Sequence, residues 1–112
     1  MSSASKRKGS TYEKDVVNYL IENGWKHAER RIAGDSKDRG DIAGVPGVVF
    51  ECKNEKKMDI SQYVRELEIE VANDKADVGA AVVKKRGTTD VANHYAIMPM
   101  YMLVFLLKEA GY

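Results

Sequence analysis

Residues 40–53, Gly-Asp-Ile-Ala-Gly-Val-Pro-Gly-Val-Val-Phe-Glu-Cys-Lys, decide the fold of this 112-residue chain. The second half of the stretch is rich in β-branched and aromatic residues, which predicts a strand whose side chains alternate between two faces. Glu51 and Lys53 therefore share one face, and Val48, Phe50 and Cys52 take the other, which suits a packed core. The Gly- and Pro-rich residues 44–47 predict a tight turn that folds the preceding segment back antiparallel.

This turn brings Asp41 within about one residue of Glu51 across the predicted hairpin. Two carboxylates and the Lys53 ammonium group then meet at one point on the sheet. A hard divalent cation and an attacking water require that set of groups. The pattern predicts a metal site, although a solvated strand face with a Glu–Lys ion pair is the structural alternative.

The first helix is predicted over residues 10–23, with Ser10 as its N-cap and Gly24 just beyond its end. At helical spacing, Glu13 points along the middle of an apolar stripe formed by Val16, Val17, Leu20 and Ile21. A carboxylate on that face needs a partner, which makes Glu13 a candidate for the metal site. Ser10 and Glu13 also fit a capping box, so a purely structural role stays open.

These motifs resemble those of the archaeal-type Holliday junction resolvases, within the PD-(D/E)XK nuclease superfamily. Asp41, nine intervening residues and Glu51-Cys52-Lys53 match the superfamily's active-site signature. The shared segments are Lys8-Gly9-Ser10, Glu13, Gly24-Trp25, Arg31-Ile32-Ala33-Gly34 and Glu51-Cys52-Lys53. The resemblance covers about residues 6 to 55, and Gly40 stands where the superfamily pattern has proline.

The resemblance implies a metal-dependent DNA endonuclease that makes paired nicks in four-way DNA junctions as a homodimer. Mg²⁺ would be the cofactor, with Mn²⁺ able to substitute. The implied catalytic residues are Glu13, Asp41, Glu51 and Lys53, and the first three of them are the implied metal ligands. A nuclease acting on duplex or flapped DNA in restriction or repair is the first alternative. A non-catalytic DNA-binding module is the second, but a degenerate site would usually have lost one of these residues.

The distribution of charge favours a nucleic-acid partner more than the net charge of +1 does. Basic residues are in surplus over residues 1–39 and recur at 84–86, whereas acidic residues dominate 59–77. In the resembled family an arginine before Ala-Gly contacts the scissile phosphate region, and Arg31 matches it; pairing with Glu29 is the alternative. The candidate DNA-binding residues are Arg31, Lys6, Arg7, Lys8, Lys37 and Arg39.

The remaining patterns predict an α/β sandwich with a mixed sheet flanked by helices. The resemblance extends this to a restriction-endonuclease-like sandwich with about five strands in its central sheet. Strands are predicted over 25–32, 78–83 and 94–98, and helices over 59–73 and 99–110. Asp59 and Gln62 form a capping box, but Gln62 with Tyr63 also resembles a pair that some nucleases place near the metal, so an active-site role for Gln62 is possible.

The chain is expected to form one nuclease domain over residues 10–112, preceded by a flexible basic arm over residues 1–9. Cys52 is the single cysteine, so no intrachain disulfide forms, and a reducing cytoplasm is expected. No secretory signal is evident, and the apolar run 97–107 is too short to span a membrane. The last helix is the expected dimer interface, although burial inside its own protomer would explain the same residues.

Overall fold

In a computed structural model, the structure describes the backbone of residues 3–31 and 37–112 and the side chains of residues 7–31 and 37–112. Within these ranges the chain forms three α-helices and five strands. In chain order they are α1 (Ser3–Glu22), β1 (Glu29–Arg30), β2 (Ile42–Ala43), β3 (Val48–Lys53), α2 (Ile60–Asp74), β4 (Val78–Val83), β5 (Tyr95–Ile97) and α3 (Met100–Glu109). The predicted α/β class is confirmed.

The strands form two sheets in the described part of the chain. One has the order β3-β4-β5 and the other pairs β1 with β2. β3 and β4 are parallel along their full length, with Glu51 opposite Ala81, whereas β4 and β5 are antiparallel. The larger sheet is mixed, as expected, and β4 lies in its middle with every residue buried. A single central sheet of about five strands is not formed by the described residues.

Both faces of β3 are covered, each by a different layer. Phe50 and Cys52 pack against the core cluster formed largely by α1, whereas Val49 packs with Leu67 of α2 and Met102 of α3. Because side chains alternate along a strand, Glu51 and Lys53 lie on the same face as Val49 and therefore point toward α2. The alternation predicted for this strand is confirmed.

Helix α2 lies very close to β4 at Gly79. A Cβ atom on Gly79 would lie 2.8 Å from Leu67 Cδ1 and 2.9 Å from Val71 Cγ2. The Gly79 N–H also donates to Met102 Sδ at 3.4 Å, so α3 contacts the same point. The missing side chain at Gly79 therefore permits the close approach of α2 to the sheet.

Several predicted boundaries are wrong. The first helix begins at Ser3, so Ser10 lies inside it and is not its N-cap. Residues 3–9 therefore belong to α1. The division of the chain into a basic arm and a nuclease domain stays a prediction. The first strand is limited to Glu29–Arg30, and residues 32–36 lie outside the described part. The expected helix, strand, edge strand and helix after residue 58 all form, with Asp59 as N-cap of α2 and Pro99 as N-cap of α3.

Helix α3 covers the sheet with very little of its surface. Within this helix, which is described in full, only Met102 is buried, although the eight residues from Met100 to Leu107 are all apolar or aromatic. More than a third of the surface of Leu103 and of Phe105 is exposed. No helix in the described ranges has the length and apolar character needed to cross a membrane.

The turn before β3 depends on Gly44, which provides a test of the fold. Gly44 has a φ of 92°, and a Cβ atom there would lie 2.0 Å from the carbonyl oxygen of His27. We expect Gly44→Ala to lower the free energy of unfolding by about 3 kcal/mol or more, because the clash involves backbone. Denaturant unfolding measures the change.

Gly87→Ala is the matched control for this substitution. Gly87 has a similar φ of 89°, but no atom lies within 4 Å of the position its Cβ would take. It should lose only about 1 kcal/mol, which is the cost of the left-handed backbone. Equal losses in the two variants would show that the contact with His27 does not hold the turn.

Candidate metal and active site

Asp41 immediately precedes β2 and is fixed against β3 by two hydrogen bonds. Its backbone N–H donates to the Phe50 carbonyl at 2.8 Å, and its carboxylate Oδ2 accepts from the Cys52 N–H at 2.7 Å. These two partners flank Glu51, so Asp41 lies beside it as the turn predicted. Burial, followed by the negative charge of Glu51, raises the pKa of Asp41 to about 7.

Glu51 and Lys53 form an ion pair on the face of β3 that points toward α2. Lys53 Nζ lies 3.6 Å from Glu51 Oε1, and both side chains are less than a fifth exposed. Burial also raises the pKa of Glu51, in spite of the nearby ammonium group. The second Glu51 oxygen, Oε2, is buried and has no hydrogen-bond partner among the described residues.

Lys53 is held by α2 as well as by Glu51. Its Nζ donates to Glu66 Oε2 at 2.8 Å and lies 5.2 Å from the centre of the Tyr63 ring. Burial works against the charged form, but the hydrogen bond with Glu66 and the charge of Glu51 outweigh it and raise the pKa of Lys53. Lys53 is therefore a fixed cation at neutral pH.

Gln62 lies one helical turn before Glu66 and contributes to the same arrangement. Its backbone N–H donates to the Asp59 side chain at 3.2 Å, as expected of an N-cap. Its side-chain Nε2 donates to Glu66 Oε1 at 2.9 Å instead of returning to the cap. Gln62 is thus connected to Lys53 through Glu66, and a direct active-site role for it stays a prediction.

Two further carboxylates lie close to Glu51 on the α2 side and form a group of three with it. Among the residues whose side chains are described, Asp38, Glu51 and Glu70 bring one ligating atom each to within 4.8 Å of one another. Glu70 is 1% exposed, and its Oε1 has no hydrogen-bond partner in the described part of the chain. The donor set of three carboxylates fits a hard divalent cation such as Mg²⁺, Mn²⁺ or Ca²⁺.

Glu13 approaches from the opposite layer and has a different partner. Arg30 Nε donates to Glu13 Oε1 at 2.9 Å, and Arg30 Nη2 donates to Ser10 Oγ at 3.0 Å. Ser10 and Glu13 therefore bind the same guanidinium group and do not form a capping box. The charge of Glu13 contributes to the raised pKa of Asp41, but Glu13 is not part of the carboxylate cluster.

The candidate DNA-binding residues have varied surroundings. Arg31 does not pair with Glu29; its Nη2 donates to Asp74 Oδ1 at 3.3 Å, and its Nε is buried without a partner in the described region. Arg7, Lys8 and Lys37 are exposed, and Arg39 is half-buried. The Lys6 side chain lies outside the described side chains. DNA binding by these residues stays a prediction.

Sequence reasoning missed Asp38 and Glu70 as members of the site. Tyr63, Leu67 and Glu70 are the buried residues of α2 and recur at helical spacing. A glutamate in an otherwise apolar buried stripe was therefore a readable signal. Asp38 had no such signal, because the polar segment around it predicted only a loop. Cys52 is interpreted correctly as a packing residue, since burial raises the pKa of its thiol and keeps it protonated.

Asp41, Glu51 and Lys53, which match a nuclease active-site signature in sequence, lie close together in this α/β fold. A family model described as archaeal Holliday junction resolvase (Hjc) matches residues 4–92. This match covers well over half of the chain, so the protein belongs to the archaeal Holliday junction resolvase family. The resemblance seen in the motifs is confirmed, and α3 lies outside the matched region. Comparisons with curated proteins and with solved structures gave no match.

The Glu70 carboxyl group gives a stability test without metal. Burial and contacts with Glu51 and Asp38 raise the pKa of Glu70 from 4.5 to about 10. A raised pKa contributes stability that is complete below the unfolded value and is lost as pH rises toward the folded value. In EDTA, the melting temperature of the native protein should therefore fall between about pH 6 and about pH 9.

Glu70→Gln keeps the shape of the neutral carboxyl group and cannot ionise. Its melting temperature should exceed that of the native protein at the upper end of this range and should depend less on pH. Glu68→Gln, which changes an exposed glutamate on the same helix, should follow the native curve. Parallel curves for the native protein and Glu70→Gln would refute the raised pKa.

Proposed function

We propose that this protein is a metal-dependent endonuclease that resolves four-way DNA junctions as a homodimer, with one strand nicked by each protomer. Membership in the Holliday junction resolvase family supports the substrate class. The observation that carries the chemistry is the position of Asp41, whose carboxylate bonds to the strand residue next to Glu51. Lys53 lies two residues further along on the same face as Glu51.

Asp41 and Glu51 would hold Mg²⁺ or Mn²⁺, with Glu13 completing the site directly or through a water. When bound, the metal would lower the pKa of the attacking water and neutralise charge at the phosphate. The protein's own contribution is a set of carboxylates fixed in advance. The Cys52 N–H orients Asp41, and the strand backbone orients Glu51, so little rearrangement is required.

Lys53 would act as a fixed positive charge beside the phosphate. Its raised pKa keeps the ammonium group protonated, which suits stabilisation of the negatively charged pentacovalent state and orientation of the water. The same property argues against Lys53 as the base that removes the proton from the water. Glu66 and Gln62 hold the Lys53 side chain in position without touching the substrate.

Basic residues next to the site supply phosphate contacts. Lys84 follows β4, and its backbone N–H donates to the Lys53 carbonyl at 2.9 Å. Arg86 Nη1 donates to Asn54 Oδ1 at 3.0 Å, which keeps this second basic segment beside the end of β3. Together with Arg31, Arg7, Lys8, Lys37 and Arg39, these residues would bind the DNA backbone, the dominant source of affinity in such complexes.

The metal site is tested by Asp41→Asn and Glu51→Gln. Each variant removes a ligand charge and keeps the side-chain volume, so Mg²⁺-dependent cleavage of a labelled four-way junction should fall at least about 100-fold. Junction binding in Ca²⁺ or EDTA should persist, because phosphate contacts dominate it. Substantial cleavage by either purified variant would overturn the proposed site.

The DNA substrate is tested with the same native protein on a matched panel. Four-way junction, flapped duplex and plain duplex of shared sequence are compared with and without Mg²⁺. Paired, symmetric nicks in the junction and little cutting of the duplex are expected. Equal cutting of the duplex would favour the alternative of a restriction or repair nuclease.

Helix α3 is the proposed dimer interface. An isolated protomer leaves Met100 69% and Tyr101 59% exposed, and a large part of the other apolar side chains of α3 is also accessible. Such an apolar helix is typical of a surface covered by a second chain. A two-fold contact would make the same patch complementary to itself and place two sites on one junction.

Tyr101→Lys and Phe105→Lys test this interface. These positions lie four residues apart on one helical face, and the lysine at position 101 keeps Glu68 as a partner, since Tyr101 Oη now donates to Glu68 Oε2 at 2.7 Å. We expect folded monomers by light scattering and loss of coordinated double nicking. Ile21→Lys, at a 41% exposed apolar position on α1, should stay dimeric. A native protein that is monomeric with and without junction would contradict the interface.

A further inference from the structure

The carboxylate cluster on the α2 side of β3 contains two buried oxygens that the fold leaves without partners. Glu70 Oε1 and Glu51 Oε2 are both buried and make no hydrogen bond with the described residues. Glu70 is 1% exposed, and one of its carboxylate oxygens lies within 4.8 Å of a carboxylate oxygen of Asp38 and of Glu51. A buried acceptor without a donor is costly, so the arrangement calls for a positively charged or proton-donating occupant.

The ammonium group of Lys53 does not fill that requirement. Lys53 Nζ lies 3.6 Å from Glu51 Oε1, the other oxygen of that carboxylate, and its hydrogen bond is made with Glu66. Three carboxylates therefore lie close together, and the Lys53 ammonium group approaches only one oxygen of one of them, Glu51 Oε1. Protein oxygens bind Mg²⁺ at about 2.0–2.1 Å and Ca²⁺ at about 2.3–2.6 Å, so ligands of one ion lie within roughly 4–5 Å of each other. The spacing of at most 4.8 Å in this cluster meets that condition.

We infer that Asp38, Glu51 and Glu70 form a second divalent-cation site, which shares Glu51 with the proposed Asp41 site. Asp41 is not a member of this cluster, and its Oδ2 is directed to the Cys52 N–H. Glu51 has one oxygen near Lys53 and one orphaned oxygen, so it can serve two neighbouring ions. The description of this site as the second one rests on the proposed function, which assigns a first ion to Asp41 and Glu51. The cation site itself rests only on the carboxylate cluster.

The site would attach the segment before Asp41 to α2. Asp38 lies three residues before Asp41, and its backbone carbonyl already accepts from Asn73 Nδ2 of α2 at 2.7 Å. A cation held by Glu70 from the helix and by Asp38 from the segment adds a stronger link at the same place. The inferred ion therefore positions the hairpin that carries Asp41, in addition to any role at the phosphate.

The test counts Mn²⁺ ions bound to the full-length protein without DNA, from the loss of the free Mn²⁺ signal in electron paramagnetic resonance. The native protein should bind two ions per chain. Glu70→Gln and Asp38→Asn should each bind one, Asp41→Asn should bind one, and Glu51→Gln should lose both. Glu68→Gln should keep two. Asp38 is exposed, so its variant tests the site even if Glu70→Gln were to fold poorly.

Melting temperatures with Mn²⁺ and with EDTA accompany the titration. The increase caused by Mn²⁺ should shrink in Glu70→Gln and Asp38→Asn relative to Glu68→Gln. Two ions retained by both variants, or a single ion in the native protein that Asp41→Asn also removes, would overturn the second site. If the native protein cuts the junction but Glu70→Gln and Asp38→Asn keep both Mn²⁺ ions, the inference is refuted and the proposed function stands. If these variants lose an ion but the native protein does not cut the junction, the cation site stands and the proposed function is refuted.

Discussion

The parallel pairing of β3 with β4 is the constraint on which the site depends. Two parallel neighbours cannot be joined by a tight turn, so the chain must cross over between them. The crossover here is α2, and it packs on the face of β3 that carries Glu51 and Lys53. The topology therefore brings Glu66 and Glu70 next to the side chains of Glu51 and Lys53.

Charge balance in this layer is uneven. Lys53 is paired with Glu66 and Glu51, while the carboxyl groups of Glu70 and Asp38 lie close to Glu51 without a cation of their own in the described cluster. Burial, followed by the proximity of Glu51, raises the pKa values of both Asp41 and Glu70. Buried carboxyl groups with raised pKa values are common at binding sites that a protein forms before its ligand binds.

The sequence was sufficient for features that depend on local pattern. The alternation along β3, the turn that returns Asp41 to Glu51 and the buried strand β4 follow from side-chain period and turn chemistry, and each is confirmed. The predicted start of α1 was wrong because Ser10 and Glu13 have the residue types and spacing of a capping box. Their true partner, Arg30, is 17 or more residues away. Local reasoning cannot weigh such a contact, and it missed Asp38 for the same reason.

The bare backbone at Gly79 has a consequence for ion selectivity. Any side chain there would press on Leu67 and Val71 and move α2 away from the sheet. Glu70 follows Leu67 by three residues on the same helix, so its distance from β3 is set by the same contact. The distance between α2 and the sheet would therefore limit the radius of a cation held between Glu70 and Glu51 at the inferred site. The hydrogen atom that stands in place of a side chain at Gly79, on the strand that α2 packs against, would thus take part in the choice between a small cation and a large one.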